Sequence, residues 1–400
     1  MKNLFSGNRL VFGFVGLNIV SGTAAGILQM IIPAYALTLQ ANTAEIGLIK
    51  GISGLGMLLM VVPAGFLVDH YGSRRLYILG GILSAAVVFL LPAAVLPVLL
   101  ILLMGLQGVA NSMKFTSLNA AFFRYLNTAG LKKAGWYKGS MSIGLTFLGP
   151  FCGGYLVNLA GYKVNFLLVG FMTLIPAILV GMTGSKRKAG EKINFFSIFR
   201  GQLWEFREIL NNRTIKQTVL TESISTACFS SFAAFIVVLV VNDFKLNFVY
   251  ASWLMILEGG AFVVTVFLGG ALLYRFERSR LYLWSFAVTI AGLTGVGLLK
   301  DIRLTAVFTV VLGLGLGMTN LITYSQVGEM GGRKGKLAGF LSACTGIGST
   351  LGPILGGFIG QSFGIPAIFF SFIPAFILLG LYIQMNQVCL NTEGTENKTA

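Results

Sequence analysis

Charge is scarce in this chain. Charged residues make up 10% of its 400 residues, whereas hydrophobic residues make up 56%. A soluble protein of this length needs a far more charged surface, so the composition excludes an ordinary soluble enzyme or binding domain. The mean hydropathy of +0.84 indicates instead a chain built mostly of membrane-crossing segments, each of which needs about 20 apolar residues.

Residues that bind metals or act as nucleophiles are also rare. His70 is the one histidine, and the four cysteines (Cys152, Cys228, Cys344 and Cys389) have no metal-like spacing. The Gly-x-x-x-x-Gly-Lys-Ser/Thr phosphate loop does not occur in the sequence. We therefore expect no metal site, no cofactor and no enzymatic activity, and the sequence argues against an ATP-driven pump.

Acidic residues are few as well: 13 against 29 lysines and arginines, a net charge of +16. The basic residues lie in short segments between apolar runs, which argues against nucleic acid as a partner. If the N-terminus is inside, most of them fall on the cytoplasmic side, as the positive-inside rule requires. We predict a multi-pass cell membrane protein with both termini cytoplasmic.

Twelve apolar stretches are long enough to cross a bilayer. Their predicted ranges are 10–38, 46–66, 76–95, 98–121, 136–158, 164–183, 217–241, 249–273, 281–299, 304–326, 337–360 and 366–386. The fold class predicted from them is an all-α, polytopic membrane protein.

A Gly-Pro-x-x-Gly-Gly pattern occurs twice, 203 residues apart. Its members are Gly149, Pro150, Gly153 and Gly154 in one copy and Gly352, Pro353, Gly356 and Gly357 in the other. Residues 65–77 echo residues 270–282 at an offset of 205. Two echoes at almost one spacing indicate a duplicated half of about 200 residues. We predict an N-terminal six-helix bundle over 1–183, a cytoplasmic linker over 184–216, a C-terminal bundle over 217–386 and a tail over 387–400.

The linker has apolar residues at helical spacing. Phe195, Phe199, Leu203, Phe206 and Leu210 recur every three or four positions. This periodicity favours an amphipathic helix at the membrane surface over a flexible tether. The polar tail from residue 387 is expected to be disordered.

The segment between spans 2 and 3 carries five residues in a recognisable spacing. These are Gly65, Asp69, Gly72, Arg74 and Arg75. Gly72 suits a tight turn and Gly65 a close helix approach. The segment resembles the signature loop of the major facilitator superfamily, from which it departs at His70 and Ser73. The resemblance implies two six-helix bundles that work by alternating access, with Asp69 closing the cytoplasmic side. The second half has Tyr274 in the place of Asp69.

The Gly-Pro-x-x-Gly-Gly pattern in span 5 resembles a motif of the antiporter branches of this superfamily, which implies export. A helix kink used only for packing is the alternative, since proline removes a backbone hydrogen bond and glycine permits close approach. In span 4 the same exporters have an arginine where this chain has Met104, although the following Gln107-Gly108 is kept. That departure puts the usual proton-coupling arrangement in doubt.

Ionisable residues inside spans are functional candidates because each costs roughly 2.5–3.5 kcal/mol to insert. Glu258, near the middle of span 8, is the proton-coupling candidate, since burial favours the neutral form of a carboxyl group. The alternative is an acid that is hydrogen-bonded for packing. Lys114 is expected either to bind an anionic group or to snorkel to the cytoplasmic surface. Glu222 and Lys50 are interpreted mainly as near-interface residues.

Spans 1, 4, 7 and 10 line the cavity in the superfamily, so their polar residues are candidates by resemblance. The substrate-cavity candidates are Asn18, Gln29, Asn111, Lys114, Glu222, Asn320 and Tyr324. Hydrogen bonds between helices are the alternative role for each asparagine and glutamine.

The function predicted from these features is proton-coupled efflux of a small organic molecule by a monomer in the lipid bilayer, driven by the proton gradient. Uptake of a metabolite or a siderophore-type chelate is the alternative. A sensor or scaffold without transport activity is a third hypothesis, although the chain has no long additional soluble segment.

Overall fold

The computed structural model describes residues 2–129, 140–182, 213–329 and 334–396, and every regular element in these ranges is helical. The α-helices are α1 Lys2–Thr38, α2 Thr43–Tyr71, α3 Ser73–Leu90, α4 Pro97–Ala129, α5 Gly149–Met182, α6 Arg213–Val238, α7 Val249–Leu268, α8 Gly270–Arg275, α9 Arg278–Leu298, α10 Ile302–Glu329, α11 Lys334–Phe363, α12 Ile365–Phe370 and α13 Phe372–Glu396. A 3-10 turn follows α3, and π-helical turns occupy Gly144–Leu148 and Leu239–Asp243. The predicted amphipathic helix of the linker lies outside the described residues.

Eleven helical stretches of the described residues are long and apolar enough to cross a membrane. One of them, Ser140–Val180, has 41 residues, about twice the length that one crossing needs. Gly161 breaks it with a φ of 75°, and Gly364, at the repeat offset of 203, separates α11 from α12 with a φ of 90°. Both angles favour glycine. Predicted spans 5 and 6 are therefore two crossings joined at Gly161, and the all-α fold with twelve crossings is confirmed.

The turn before α2 is fixed by a capping box. The backbone N–H of Glu45 donates to Asn42 Oδ1 at 2.9 Å, and the N–H of Asn42 donates to Glu45 Oε2 at 2.8 Å. These two bonds satisfy donors that the first turn of a helix leaves unpaired. They define where α2 begins.

Contacts divide the chain into two compact units. The first comprises Met1–Phe196 and Ala233–Ile256, and the second comprises Ser197–Phe232 and Leu257–Ala400. The division passes through α6 and α7, and residues 233–240, at the end of α6 and in the π-helical turn after it, are all buried. Our predicted bundle limits describe the order of the spans along the chain and stay a prediction.

Within the first unit, the Gly-Pro-x-x-Gly-Gly motif joins α5 to α1. A Cβ on Gly149 would lie 2.7 Å from the carbonyl carbon of Gly26 and 2.9 Å from the nitrogen of Ile27. The last glycine of the motif, Gly154, packs on the Ser252 side chain. A Cβ on Gly154 would lie 2.7 Å from the Cβ of Ser252. Small residues are what allow helices to pack closely in lipid. The motif therefore carries close helix contacts on two sides.

The second copy makes the corresponding contact in the second unit. A Cβ on Gly352 of α11 would lie 2.7 Å from the Cα of Ala227 on α6. The two copies differ before the proline, because a π-helical turn precedes Pro150 whereas α11 runs through Pro353 as α-helix. The predicted packing role is thus present in both units. Of the two motif copies, only the first is preceded by a departure from α-helical geometry.

At the end of the chain, α13 continues to Glu396. The expectation that the backbone is disordered from residue 387 is therefore wrong as far as residue 396. Residues 387–396 continue the helix of the last crossing.

We expect Gly149→Ala to lower the free energy of unfolding by about 1–3 kcal/mol, because the added methyl group overlaps the α1 backbone. The measurement is thermal unfolding of the purified protein in detergent. Gly16→Ala is the matched control, since a Cβ there meets nothing within 4 Å among the described atoms. Equal midpoints for the two variants would contradict the packing role.

Candidate functional site

Glu258 is enclosed by protein in the second unit. Its side chain is 2% exposed, and its Oε1 is a buried atom with no hydrogen-bond partner in the described parts of the chain. The Cys228 thiol of α6 lies within electrostatic reach of the carboxyl group. A buried oxygen without a described partner departs from the rule that buried polar atoms are hydrogen-bonded.

Glycines of α10 place that acid at a tight helix crossing. Gly313 packs on the backbone of α7 at Glu258, where a Cβ would lie 3.0 Å from the carbonyl carbon, and Gly317 packs on Phe262. Gly315, on the opposite face, packs on Thr289 of α9 at a Cβ–Cα distance of 2.9 Å. Gly313 and Gly317 thus face α7, and Gly315, between them in the sequence, faces α9. These contacts hold α10 between α7 and α9. The backbone that carries Glu258 is thereby held in place.

Glu222 of α6 is also buried, at 3% exposure. The Thr345 hydroxyl donates to its Oε1 at 3.4 Å, and the Tyr324 hydroxyl lies within electrostatic reach. The structure thus brings together two of the predicted cavity candidates, Glu222 and Tyr324, within the second unit. The interpretation as a near-interface residue understates how fully the Glu222 side chain is enclosed.

A hydrogen-bond network that spacing along the chain does not predict lies beside Glu222. Tyr282 Oη donates to Gln326 Oε1 at 2.9 Å and lies 3.4 Å from Thr323 Oγ1. Tyr282 also lies within electrostatic reach of Glu222. Tyr282 repeats Tyr77 in the sequence, but that repeat by itself indicates shared architecture and not hydrogen-bond partners.

In the first unit, Lys114 of α4 is 2% exposed. Its Nζ lies 5.3 Å from the ring centroid of Phe115. A side chain so enclosed does not reach the membrane surface along the outside of the helix, so the snorkelling alternative does not describe its position. One and two turns earlier on the same helix, Asn111 is half-buried and Gln107 donates from Nε2 to Ser84 Oγ at 2.8 Å.

The remaining candidates are spread along the two units. Asn18 is fully buried in α1, Gln29 and Asn320 are half-buried, and Tyr324 is 38% exposed. Lys50 is half-buried in α2. These positions leave both the cavity role and the packing role of each residue open.

The loop between α2 and α3 has the tight turn that its sequence predicts. Gly72 has a φ of 86°, and Arg74 donates from Nε to the carbonyl oxygen of Val180, in the last turns of α5, at 3.0 Å. A guanidinium at this position interacts favourably with the negative, C-terminal end of the α5 dipole. The predicted close approach at Gly65 is wrong, because a Cβ there meets no described atom within 4 Å. Arg75 is exposed, and the side chain of Asp69 lies outside the described residues.

Among the residues that the structure describes, no cluster of three histidine, cysteine or carboxylate side chains could hold a metal ion. The two buried acids and the buried lysine can take part in proton exchange and ion pairing.

Comparison with known proteins identifies the family. The family model described as Major Facilitator Superfamily matches residues 14–240 and 218–398. The chain belongs to the major facilitator superfamily. It is a multi-pass membrane transport protein for a small molecule and not an enzyme.

Several transporters resemble the chain at low sequence identity. An uncharacterized MFS-type transporter of Methanocaldococcus jannaschii is 25% identical over 85% of this chain and 88% of its own length. A probable nitrate transporter, NarT, of Staphylococcus epidermidis is 22% identical over 92% and 94%. The quinolone resistance protein NorB of Staphylococcus aureus is 25% identical over 49% and 43%. The crystal structure of a nucleoside transporter, NupG, shares the fold with a TM-score of 0.79 and 14% identity, over 94% of this chain and 99% of its own.

We expect Gly72→Ala to lower the free energy of unfolding by about 1–3 kcal/mol, because the φ of 86° strains any residue that has a Cβ. Gly65→Ala, in the same motif, is expected to leave stability unchanged. Thermal unfolding of both variants in detergent makes the comparison. A larger loss from Gly65→Ala would show that the motif glycines have been assigned the wrong roles.

Proposed function

We propose that this transporter exports a small organic molecule in exchange for protons. The similarity of the Gly-Pro-x-x-Gly-Gly motif to that of antiporters supports export, as does the local similarity to the quinolone resistance protein NorB. The proton gradient is the proposed driving force, and the monomer is the proposed working unit. Both termini are placed in the cytoplasm on the basis of the lysine and arginine distribution.

The observation that carries the proposal is the position of Glu258. The carboxyl group is buried in a membrane-crossing helix, Oε1 has no partner among the described residues, and tight packing on Gly313 fixes its backbone. A carboxyl group that can alternately release a proton to either side is what coupling requires. Asp69 is the proposed gating residue on the cytoplasmic side, where Gly72 and Arg74 shape the turn.

Uptake is the second candidate. It is supported by Met104, which stands where exporters have an arginine, and by the buried cation Lys114. Similarity to the probable nitrate transporter NarT extends over 92% of this chain, a larger share than the similarity to NorB. In this case the proton at Glu258 moves in the same direction as the solute.

Replacement of Glu258 tests the coupling. We expect Glu258→Gln to abolish solute transport driven by a pH gradient in proteoliposomes, because the amide cannot carry the proton. Downhill exchange of the solute should continue, and Glu258→Asp should keep part of the driven transport. Glu277→Gln is the matched control, since Glu277 is an exposed acid of the same unit that pairs with Arg280 at 3.3 Å. Driven transport that survives in Glu258→Gln at the wild-type rate would remove the coupling role.

Direction is tested separately in cells that express the protein. Export predicts that cells loaded with the solute lose it faster than cells carrying the Glu258→Gln variant, when an inward proton gradient is present. Accumulation above the external concentration would favour uptake instead. The substrate for this assay is chosen from compounds that raise the thermal stability of the purified protein.

A further inference from the structure

We infer that the solute carries a small anionic group, a carboxylate or a comparable oxyanion, and that Lys114 of α4 binds it. This inference names the substrate class of the proposed transporter and rests on the proposal that the chain carries a solute through its interior. It holds for export and for uptake alike.

The first step is that Lys114 has no counter-charge among the residues that the structure describes. No carboxylate oxygen lies within 4.0 Å of its Nζ in the described parts of the chain. Residues 1–183 contain only two acids, Glu45 and Asp69. Glu45 caps α2 at Asn42, and Asp69 stands in the last turn of that helix. The membrane interior of this half therefore holds lysines and no acid.

The second step is that the protein does not otherwise compensate the ammonium. The Phe115 ring, 5.3 Å away, offers the negative face of a π-system, which stabilises a cation only in part. Burial at 2% exposure removes most of the water that would hydrate the charge. A buried charge in a membrane protein is usually stabilised by a partner of opposite charge. Here that partner has to come from outside this half of the chain.

The third step is that polar groups share the face of α4 on which Lys114 lies. Gln107, Asn111 and Lys114 are spaced by four and three residues, which places them on one side of a helix. Gln107 is 1% exposed, and its Oε1 is buried with no hydrogen-bond partner in the described part of the chain. An ammonium can bind an oxyanion by charge, and two amides on the same helix face can donate hydrogen bonds to a polar solute or accept them from it.

The backbone around this face is closely packed. Gly80 of α3 packs on α4, where a Cβ would lie 2.9 Å from the nitrogen of Lys114 and 3.0 Å from the carbonyl oxygen of Ala110. The close α3–α4 contact fixes the position from which the lysine side chain extends. A fixed cation binds an anion with less loss of conformational freedom than a mobile one.

The experiment compares anions with neutral partners of the same shape. Binding of benzoate against benzamide, nicotinate against nicotinamide, and of nitrate and phosphate, is measured on the purified protein in detergent by calorimetric titration. We expect at least one anion to bind and its neutral partner to bind more weakly. Lys114→Met should lower the affinity for that anion by about tenfold or more, which is the loss expected for a charged hydrogen bond. Lys114→Arg should keep its affinity within a few-fold.

Lys163→Met is the matched control, because it removes an exposed lysine of the same unit and should leave binding unchanged. Three results would overturn the inference: no anion of the set binds, neutral partners bind as tightly as the anions, or Lys114→Met keeps the wild-type affinity. The first two need no variant, so a folding defect cannot obscure them. The titration uses no proton gradient, so its result does not depend on proton coupling at Glu258. In the same way, the transport test of Glu258→Gln does not depend on the result of the titration.

Discussion

Close approach between helices at glycine is the constraint on which this structure depends. In hydrocarbon the helices gain nothing from hiding apolar side chains from one another, so association relies on contact between backbones. Gly149 against Gly26 and Gly352 against Ala227 supply that contact in the two units. Gly313 does the same for the segment that carries Glu258. Charged groups can then be held at fixed positions in an interior that has little else to hold them.

The two halves repeat the framework and differ in their charges. Gly108 packs on the carbonyl carbon of Ser53 at a Cβ distance of 2.9 Å, as Gly313 packs on that of Glu258 at 3.0 Å. The pairs Gly108/Gly313 and Ser53/Glu258 are both 205 residues apart. Glu258 thus stands at the position that a serine occupies in the first half, with the surrounding helix contact kept.

A second repeat pair also differs in its neighbours. Tyr77 lies near the Ser21 side chain, whereas its repeat partner Tyr282 lies within electrostatic reach of Glu222. The membrane interior of the first half keeps lysines, and that of the second keeps acids. A duplicated scaffold in which one half acquires cations and the other acquires carboxyl groups can assign the charge of the solute and the proton to different halves.

The sequence predicts the fold well because membrane-crossing segments, glycine turns and the repeat are all local patterns. The positive φ at Gly72 follows from the short stretch around that residue. Side-chain partners are a different matter, since they depend on which helix faces which. Neither the Tyr282–Gln326 bond nor the open space beside Gly65 could be derived from spacing along the chain, and span ends marked by composition did not indicate that α13 extends to Glu396.

The central claim is that proton movement at Glu258 is coupled to movement of an anionic solute. The most direct measurement is the solute gradient at which net flux through the protein in proteoliposomes is zero, determined over a series of imposed pH gradients. Coupling predicts that this null point shifts with the pH gradient in the wild type and stays constant in Glu258→Gln. A wild-type null point that does not depend on the pH gradient would contradict the account.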